Sequence, residues 1–352
     1  MKRLLYITPV PSPFQIEFIK YCNTVQNKIE VIPVYITNLE KERITWGDFS
    51  NYDVINGSVK IFYKMWKRYK PDVVAMTGYA NRISWLALSL CKAYKIPYIY
   101  GPSEKLIRRK FPLNKIKESI IGIFLSNARG IVGIGNGAVE EFRRIAPDKP
   151  IINIPYSFSL EKLLKNENKI EGAVKFIYSG RLVDFRNPVF TIEVFASLVE
   201  KYDRKVHLII SGIGPLKENC IQKINDLGLN DYVTWDLGYK DWYDVHNLYS
   251  KGNVLLALQK YSGWGLIIQE AMAAGLGIIG SRYMEAVNTL MKDSINGFVV
   301  SLNKDEIINK ASIYIDNPEI IIKHGNRAKL DIQQYDVTRT SKEYMDFIIS
   351  LL

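Results

Sequence analysis

The densest run of residues able to do chemistry is SGWGLIIQEAMAAGLGIIGS, positions 262–281. Gly263 and Gly265 bracket Trp264, and Leu266 to Ala274 reads as a helix opening directly behind them. A glycine-containing loop entering a helix leaves backbone N–H groups unpaired at the positive end of the helix dipole. That arrangement holds anions such as a diphosphate. Gly275 stands where a left-handed residue ends a helix. Glu270 lies one turn in, among Ile267, Ile268, Ala271 and Met272. Its carboxylate is expected either half-buried with a partner or facing a cleft, an exposed helical glutamate being the plain alternative.

Two further segments follow strands. In FIYSGRLVDFRNP, residues 176–188, a strand ends in Ser179-Gly180-Arg181, and Arg186 comes five residues later at a helix entry. Ligands bind outside the carboxyl ends of strands in open parallel sheets. Two arginines there can clamp a diphosphate by charge-assisted hydrogen bonds, although either alone also fits an ordinary surface. In LIISGIGPL, residues 208–216, the turn Gly212-Ile213-Gly214-Pro215 fits the back of a nucleotide pocket, with Pro215 suited to a first helical position. It lacks the third glycine of the dinucleotide fingerprint, and GIGNG at 133–137 lacks the acidic partner about twenty residues on. The turn after the first strand, residues 8–14, has no glycine to cradle a phosphate; Phe14, Gln15 and Glu17 then open a helix. Arg108, Arg109 and Lys110 form a basic cluster before an amphipathic stretch, Leu113–Leu125, that carries Lys115 and Lys117. They suit a phosphorylated or membrane-bound acceptor, or else a solvated loop beside a core helix.

Strands and helices alternate from end to end. Strands are expected at Leu4–Ile7, Val31–Ile36, Val73–Thr77, Tyr98–Gly101, Gly130–Ile134 and Ile151–Ile154 in the first half. In the second half they are expected at Val174–Ser179, Val206–Ser211, Tyr232–Trp235, Val254–Leu258, Leu276–Ser281 and Phe298–Val300. Short apolar strands separated by helices argue for parallel sheets buried on both faces, here two doubly wound α/β domains. The domains are expected at 1–160 and 173–335, with a polar linker between them. After residue 303 only helical patterns remain, and a tail helix over 338–352 is expected to pack back onto the first domain.

The 352 residues are 47% hydrophobic and 24% charged, which suits a globular protein and excludes collagen-like and disordered classes. Residues 1–165 carry 26 Lys and Arg against 13 Asp and Glu; residues 166–352 carry 21 against 23. The whole basic excess therefore sits in the first half and points to a polyanionic partner there. No recognised nucleic-acid-binding module accompanies it, so nucleic acid is not the expected partner. Three dispersed cysteines without a CxxC pattern suit free thiols in a reducing cytoplasm. Three histidines offer no obvious metal cluster. The N-terminal MKRLLYITPVP has too short an apolar run for a signal peptide and reads as a strand.

The segments SGRLVDFRNP, SGIGPL, SGWGLIIQEAMAAGLGIIGS and INGFVV (295–300), in this order, resemble the nucleotide-sugar-binding domain of the family 4 retaining glycosyltransferases. TGYANR (77–82), VGIGNGAVEEF (132–142) and IPYSFSLEKLL (154–164) extend the resemblance into the first half. It implies the GT-B fold: two Rossmann-like domains facing a cleft, with a helical C-terminal tail. It also implies a glycosyltransferase that moves a sugar from a nucleotide-diphosphate sugar to a hydroxyl of a glycan or lipid-linked acceptor in cell-surface polysaccharide synthesis. The setting would be cytoplasmic, peripheral at the anionic inner face of the plasma membrane.

Position by position, Arg181 and Arg186 match the family's diphosphate-binding basic pair, with Arg186 standing where Lys is usual. Glu270 matches the second Glu of the family's Glu-x7-Glu signature, which binds the donor ribose. Gly263, Trp264, Gly265 and Leu266 match the loop whose backbone touches phosphates and sugar, and Gly180 and Gly212 line the same donor site. The first Glu of the signature falls on Ser262, which has hydrogen-bonding capacity but no charge. Gly277 stands where Pro is usual, and Arg282-Tyr283-Met284-Glu285 replaces a loop that often contains Gly-Gly. No cofactor or metal is expected, since the arginines and the helix N-terminus can meet the leaving group's charge. The alternatives are a non-catalytic sugar-nucleotide-binding partner protein, suggested by Ser262, or a GT-B sugar-nucleotide epimerase.

Overall fold

The computed structural model describes residues 1–37, 54–106, 113–236 and 242–352. The chain divides into two compact units, the second being Leu160–Gln334. In chain order the first unit holds β1 (Lys2–Thr8), α1 (Pro13–Thr24), β2 (Ile29–Tyr35), α2 (Val59–Tyr69), β3 (Val73–Met76) and α3 (Arg82–Tyr94). It continues with β4 (Tyr98–Ser103), α4 (Leu113–Ser126), β5 (Gly130–Gly133), α5 (Asn136–Ile145) and β6 (Ile151–Asn153). The six strands are parallel, in the order β2-β1-β3-β4-β5-β6. β3, β4 and β5 are buried along their whole length, which explains their unbroken apolar runs.

The second unit holds α6 (Glu161–Leu164), β7 (Val174–Ser179), α7 (Pro188–Tyr202), β8 (Val206–Ser211), α8 (Lys217–Asp226), β9 (Val233–Trp235) and α9 (His246–Tyr249). Then come β10 (Val254–Ala257), α10 (Leu266–Ala274), β11 (Gly277–Ser281), α11 (Glu285–Leu290), β12 (Phe298–Val300), α12 (Lys304–Asp316) and α13 (Pro318–Ile332). Its sheet is also parallel, in the order β12-β11-β10-β7-β8-β9. That is the doubly wound nucleotide-binding order, which runs outward in both directions from a central pair, here β7 and β10. The α/β reading of the sequence thus holds for both units, and each of the twelve expected strands is present within about two residues of its expected ends.

Helix starts follow local chemistry. Asn81 Oδ1 accepts the Ser84 N–H at 2.9 Å ahead of α3, and Asn303 Oδ1 accepts the Glu306 N–H at 2.9 Å ahead of α12. Pro13, Pro188 and Pro318 occupy first helical positions, where a missing N–H costs nothing.

The last helix, α14 (Val337–Ser350), belongs to the first unit with Tyr335–Leu352. Its inner face, Val337, Tyr344, Met345 and Ile348, joins Phe18, Ile19 and Cys22 of α1 over one face of the sheet. Tyr344 meets Phe18 edge-on at 5.3 Å between ring centres. Without this helix, α1 would cover that face alone.

The polar stretch that reads as a linker is built into the second unit instead. Asn166 Nδ2 donates to Ala274 O at 2.8 Å, and Asn168 Nδ2 to Gly275 O at 3.0 Å. These are carbonyls at the end of α10, which have no partner inside the helix. Asn253 locks the same segment: its Nδ2 donates to Asn168 Oδ1 and Lys169 O, each at 2.9 Å, and its Oδ1 accepts the Lys175 N–H. The asparagines that suggest a solvated linker are thus a cap on the C-terminal end of α10.

Candidate functional site

The order of strands in the second unit reverses between β7 and β10, so their carboxyl ends open a crevice. The segments that leave these two strands are stitched together. Asn187 Nδ2 donates to Leu258 O at 3.1 Å, and the Lys260 N–H to Phe185 O at 2.9 Å. Arg186 Nη1 donates to Gln259 Oε1 at 3.1 Å, and Lys260 pairs with Asp184 at 2.8 Å on the exposed rim. A 3₁₀ turn, Asp184–Arg186, ends at Asn187 in the left-handed region, which asparagine tolerates. This backbone turn holds Arg186 against the crevice.

The turns behind β7 and β8 extend their pairing past the strands. The Gly180 N–H donates to Ser211 O at 3.0 Å, Leu182 N–H to Ile213 O at 2.9 Å, and Leu216 N–H to Leu182 O at 3.0 Å. A Cβ on Gly212 would lie 1.9 Å from Gly180 O, so only glycine admits this approach. Arg186 folds over the same turn, its Nη1 4.0 Å from where a Gly180 Cβ would stand. Pro215 is not a first helical residue. The 214–216 backbone is engaged with Leu182, and α8 begins only at Lys217.

Gly265 precedes α10 with φ +112°, a conformation that favours glycine. The positive end of the dipole of this nine-residue helix therefore lies at the Gly263–Gly265 loop, with the Ile268 N–H already donating to Gly265 O at 3.1 Å. The loop before it is zipped to the start of α11. Ser262 N–H donates to Tyr283 O at 3.3 Å, Glu285 N–H to Ser262 O at 3.2 Å, and Ala286 N–H to Trp264 O at 3.1 Å. Trp264 is buried and its Nε1 donates to Gln269 Oε1 at 2.8 Å, so its side chain supports the loop from inside. Ser262 Oγ lies 3.4 Å from where a Gly265 Cβ would stand, which puts the hydroxyl beside the helix entry.

Glu270 is 4% exposed, and both its oxygens are held. Oε2 accepts from Tyr249 Oη at 2.7 Å and Oε1 from Trp242 Nε1 at 3.2 Å. Burial raises the pKa of its carboxyl above the ordinary glutamate range, while the Tyr249 and Trp242 hydrogen bonds and the positive charge of Arg186 pull it back. Arg186 thus lies near enough for its charge to act on the Glu270 carboxylate. Arg181 is half-buried at the turn after β7, and its carbonyl accepts from Tyr178 Oη at 3.0 Å. Arg108, Arg109 and Lys110 lie outside the described residues. Among the described residues, no three His, Cys, Asp or Glu gather as a metal site, and no helix is long and apolar enough to cross a membrane.

Four residues of this crevice escaped the sequence reading: Asn187, Trp242, Tyr249 and Gln259. Gln259 had a signal, being the second residue past a buried strand. Trp242 and Tyr249 had none, because their partner Glu270 is more than twenty residues away in sequence.

Residues 160–330 match the family model described as glycosyl transferases group 1. This stretch, just under half of the chain, is similar to that family. The group 1 domain coincides with the second unit and contains the whole Arg186–Glu270 crevice. An uncharacterized glycosyltransferase of Haemophilus influenzae is 26% identical over 184 residues, 52% of this chain and 50% of its own length. The Campylobacter jejuni GalNAc-alpha-(1->4)-GalNAc-alpha-(1->3)-diNAcBac-PP-undecaprenol alpha-1,4-N-acetyl-D-galactosaminyltransferase is 24% identical over 217 residues, 61% of this chain and 58% of that one. The chain spans little more than half the length of these relatives. The crystal structure of Anabaena HepE in complex with UDP superposes with a TM-score of 0.78 at 15% identity, over 99% of this chain and 100% of HepE. The fold is the GT-B fold of such neighbours.

Proposed function

We propose that this protein is a retaining glycosyltransferase. It takes a sugar from a nucleotide-diphosphate donor and delivers it to a hydroxyl of a glycan or lipid-linked acceptor in cell-surface polysaccharide assembly. The observation that carries this reading is the buried Glu270 beside Arg186, in the crevice where the group 1 domain's sheet reverses order. A carboxylate held by Tyr249 and Trp242 keeps lone pairs for two ribose hydroxyls. Arg181, Arg186 and the first N–H groups of α10 then lie at the diphosphate end, and Gly180 and Gly212 let backbone close in on it.

The chemistry follows from charge. The bond between the sugar's anomeric carbon and the diphosphate oxygen breaks, and its electron pair leaves with the diphosphate. The acceptor oxygen forms the new bond, and its proton passes to the departing diphosphate oxygen. Negative charge therefore grows on the leaving group, where the two guanidinium groups and the α10 N-terminus offer preorganised stabilisation. This needs no metal. Ser262 beside the α10 entry gives the transferred sugar a neutral contact, and more of the sugar's binding falls to the backbone of Gly263–Leu266. HepE's complex with UDP supports the donor class, and the Campylobacter relative's undecaprenol-linked acceptor supports a lipid-linked one.

A panel of sugar nucleotides tests the reading. One or more donors should protect the protein against heat and undergo slow hydrolysis with retention of anomeric configuration. A donor that binds but is never hydrolysed or transferred would favour a non-catalytic binding protein. A donor returned with one sugar centre inverted would favour an epimerase.

A further inference from the structure

Just past the carboxyl end of β10 stands a buried polar side chain that takes no direct part in the transfer. Gln259 is 2% exposed and lies two residues beyond the strand. The backbone on both sides of it is tied to the turn that carries Arg186. Leu258 O accepts from Asn187 Nδ2 at 3.1 Å, and the Lys260 N–H donates to Phe185 O at 2.9 Å. Gln259 is therefore fixed opposite Arg186, and its Oε1 accepts from Arg186 Nη1 at 3.1 Å. A guanidinium only donates, so the amide must present its oxygen. The same guanidinium lies over the Phe185 ring, 5.5 Å from the ring centre.

We propose that Gln259 is a positioning residue, a neutral acceptor that holds the Arg186 guanidinium oriented for an anionic ligand without cancelling its charge. A free arginine side chain turns about several bonds, and that freedom is lost when it binds a phosphate. An acceptor already on one edge leaves less to lose, and the planar fork keeps the other N–H groups in fixed directions. The kind of acceptor matters as much as its place. A carboxylate would hold the guanidinium more strongly, but it would bring a negative charge to the spot a diphosphate must approach. An amide gives direction alone. The acids of the crevice have partners of their own: Asp184 pairs with Lys260 at 2.8 Å, and Glu270 is held by Tyr249 and Trp242.

A packing role alone fits less well. At a buried position Met or Leu would fill the same space without a polar group that needs a partner. That the anion is a nucleotide's diphosphate rests on the transferase reading; that Gln259 orients Arg186 does not.

Two readouts on the full chain test the proposal. The first is NMR of the arginine side chains without ligand, with Arg186→Lys identifying the Arg186 signal, and it measures rotation of the guanidinium about its Nε–Cζ bond. Arg186 should rotate slowly in the parent, as fast as an exposed arginine in Gln259→Met, and slowly again in Gln259→Glu, which keeps the acceptor. The second is calorimetric titration with uridine, guanosine, adenosine and thymidine diphosphates and with their nucleosides. Gln259→Met should lose about three- to tenfold in diphosphate affinity, the effect of one hydrogen bond. Gln259→Glu, restrained but charged, should lose about tenfold or more. Nucleoside affinity should hardly change in either, and in an Arg186→Ala background Gln259→Met should cost nothing further. Fast rotation in the parent, or equally slow rotation in Gln259→Met, overturns the proposal. So does an equal loss for diphosphate and nucleoside, or a Gln259→Glu variant that binds diphosphate as tightly as the parent. A restrained Arg186 that Gln259→Met releases, in a parent that binds none of the diphosphates, supports the positioning role and counts against the transferase reading.

Discussion

Tyr249→Phe should move the acid limit of donor binding to higher pH. The Tyr249 hydroxyl donates to Glu270 Oε2 at 2.7 Å, the shorter of the carboxylate's two hydrogen bonds from side chains. Burial already raises the Glu270 carboxyl, and this hydrogen bond is the first of the influences that oppose it. A hydrogen bond to a charged group is worth about 1.5–3 kcal/mol, and about 1.4 kcal/mol corresponds to one pH unit of midpoint. Losing the hydroxyl should therefore carry the protonation midpoint upward, and in acid the nucleoside diphosphate affinity of the variant should fall below the parent's by about tenfold or more. Tyr249 from α9 and Arg186 from the turn after β7 are the titratable groups that act on this carboxylate. Because the folded pKa is raised, Glu270's contribution to stability is full below its unfolded pKa and is lost as pH rises through the folded one. Removing the hydroxyl widens that loss, so the variant should also be less stable than the parent at neutral pH and approach it in acid. The assay is calorimetric titration with a nucleoside diphosphate between about pH 5 and 9. Parent and variant should converge at high pH and separate in acid, the variant weakening first. A uniform loss across the whole range, with no movement of the midpoint, would refute the argument and leave Tyr249 as a packing residue.

Arg186→Ala should weaken nucleoside diphosphate binding by about ten- to a hundredfold, the loss of a charged hydrogen bond, and the bare nucleoside hardly at all. Equal losses in both titrations would assign Arg186 to folding. Gly212→Ala should destabilise the group 1 domain by about 1–3 kcal/mol or more, measured by urea unfolding, because its Cβ would stand 1.9 Å from Gly180 O; an unchanged midpoint would mean the two turns are free to separate. Ser262→Ala should change the ranking of donor sugars or lower turnover by about tenfold, ~1.4 kcal/mol, with nucleoside diphosphate affinity nearly unchanged. A variant identical to the parent with every donor would remove Ser262 from the sugar contact.

The fold was legible because parallel strands buried on both faces announce themselves as short unbroken apolar runs, as at Val254–Ala257 and Val73–Met76. The crevice residues carried by strand ends and glycine turns were legible for the same reason: Gly180, Gly212 and Gly263–Leu266 sit where the chain must turn. The partners of Glu270 were not. Trp242 and Tyr249 reach it from a separate turn and a separate helix, and no spacing rule connects them to it. Asn166 and Asn168 misled the reading of the linker because a helix cap supplied from about a hundred residues away in sequence looks, locally, like solvated loop. Gln259 shows the middle case, a strand-end position readable in hindsight only once Arg186 is seen to need an acceptor.

The most direct test of the central claim is a crystal structure of the full chain soaked with a nucleoside diphosphate. The account expects the ribose hydroxyls on Glu270, and the diphosphate between Arg181, Arg186 and the first N–H groups of α10. A nucleotide bound elsewhere, or in this crevice with its ribose away from Glu270 and its phosphates away from both arginines, would contradict it.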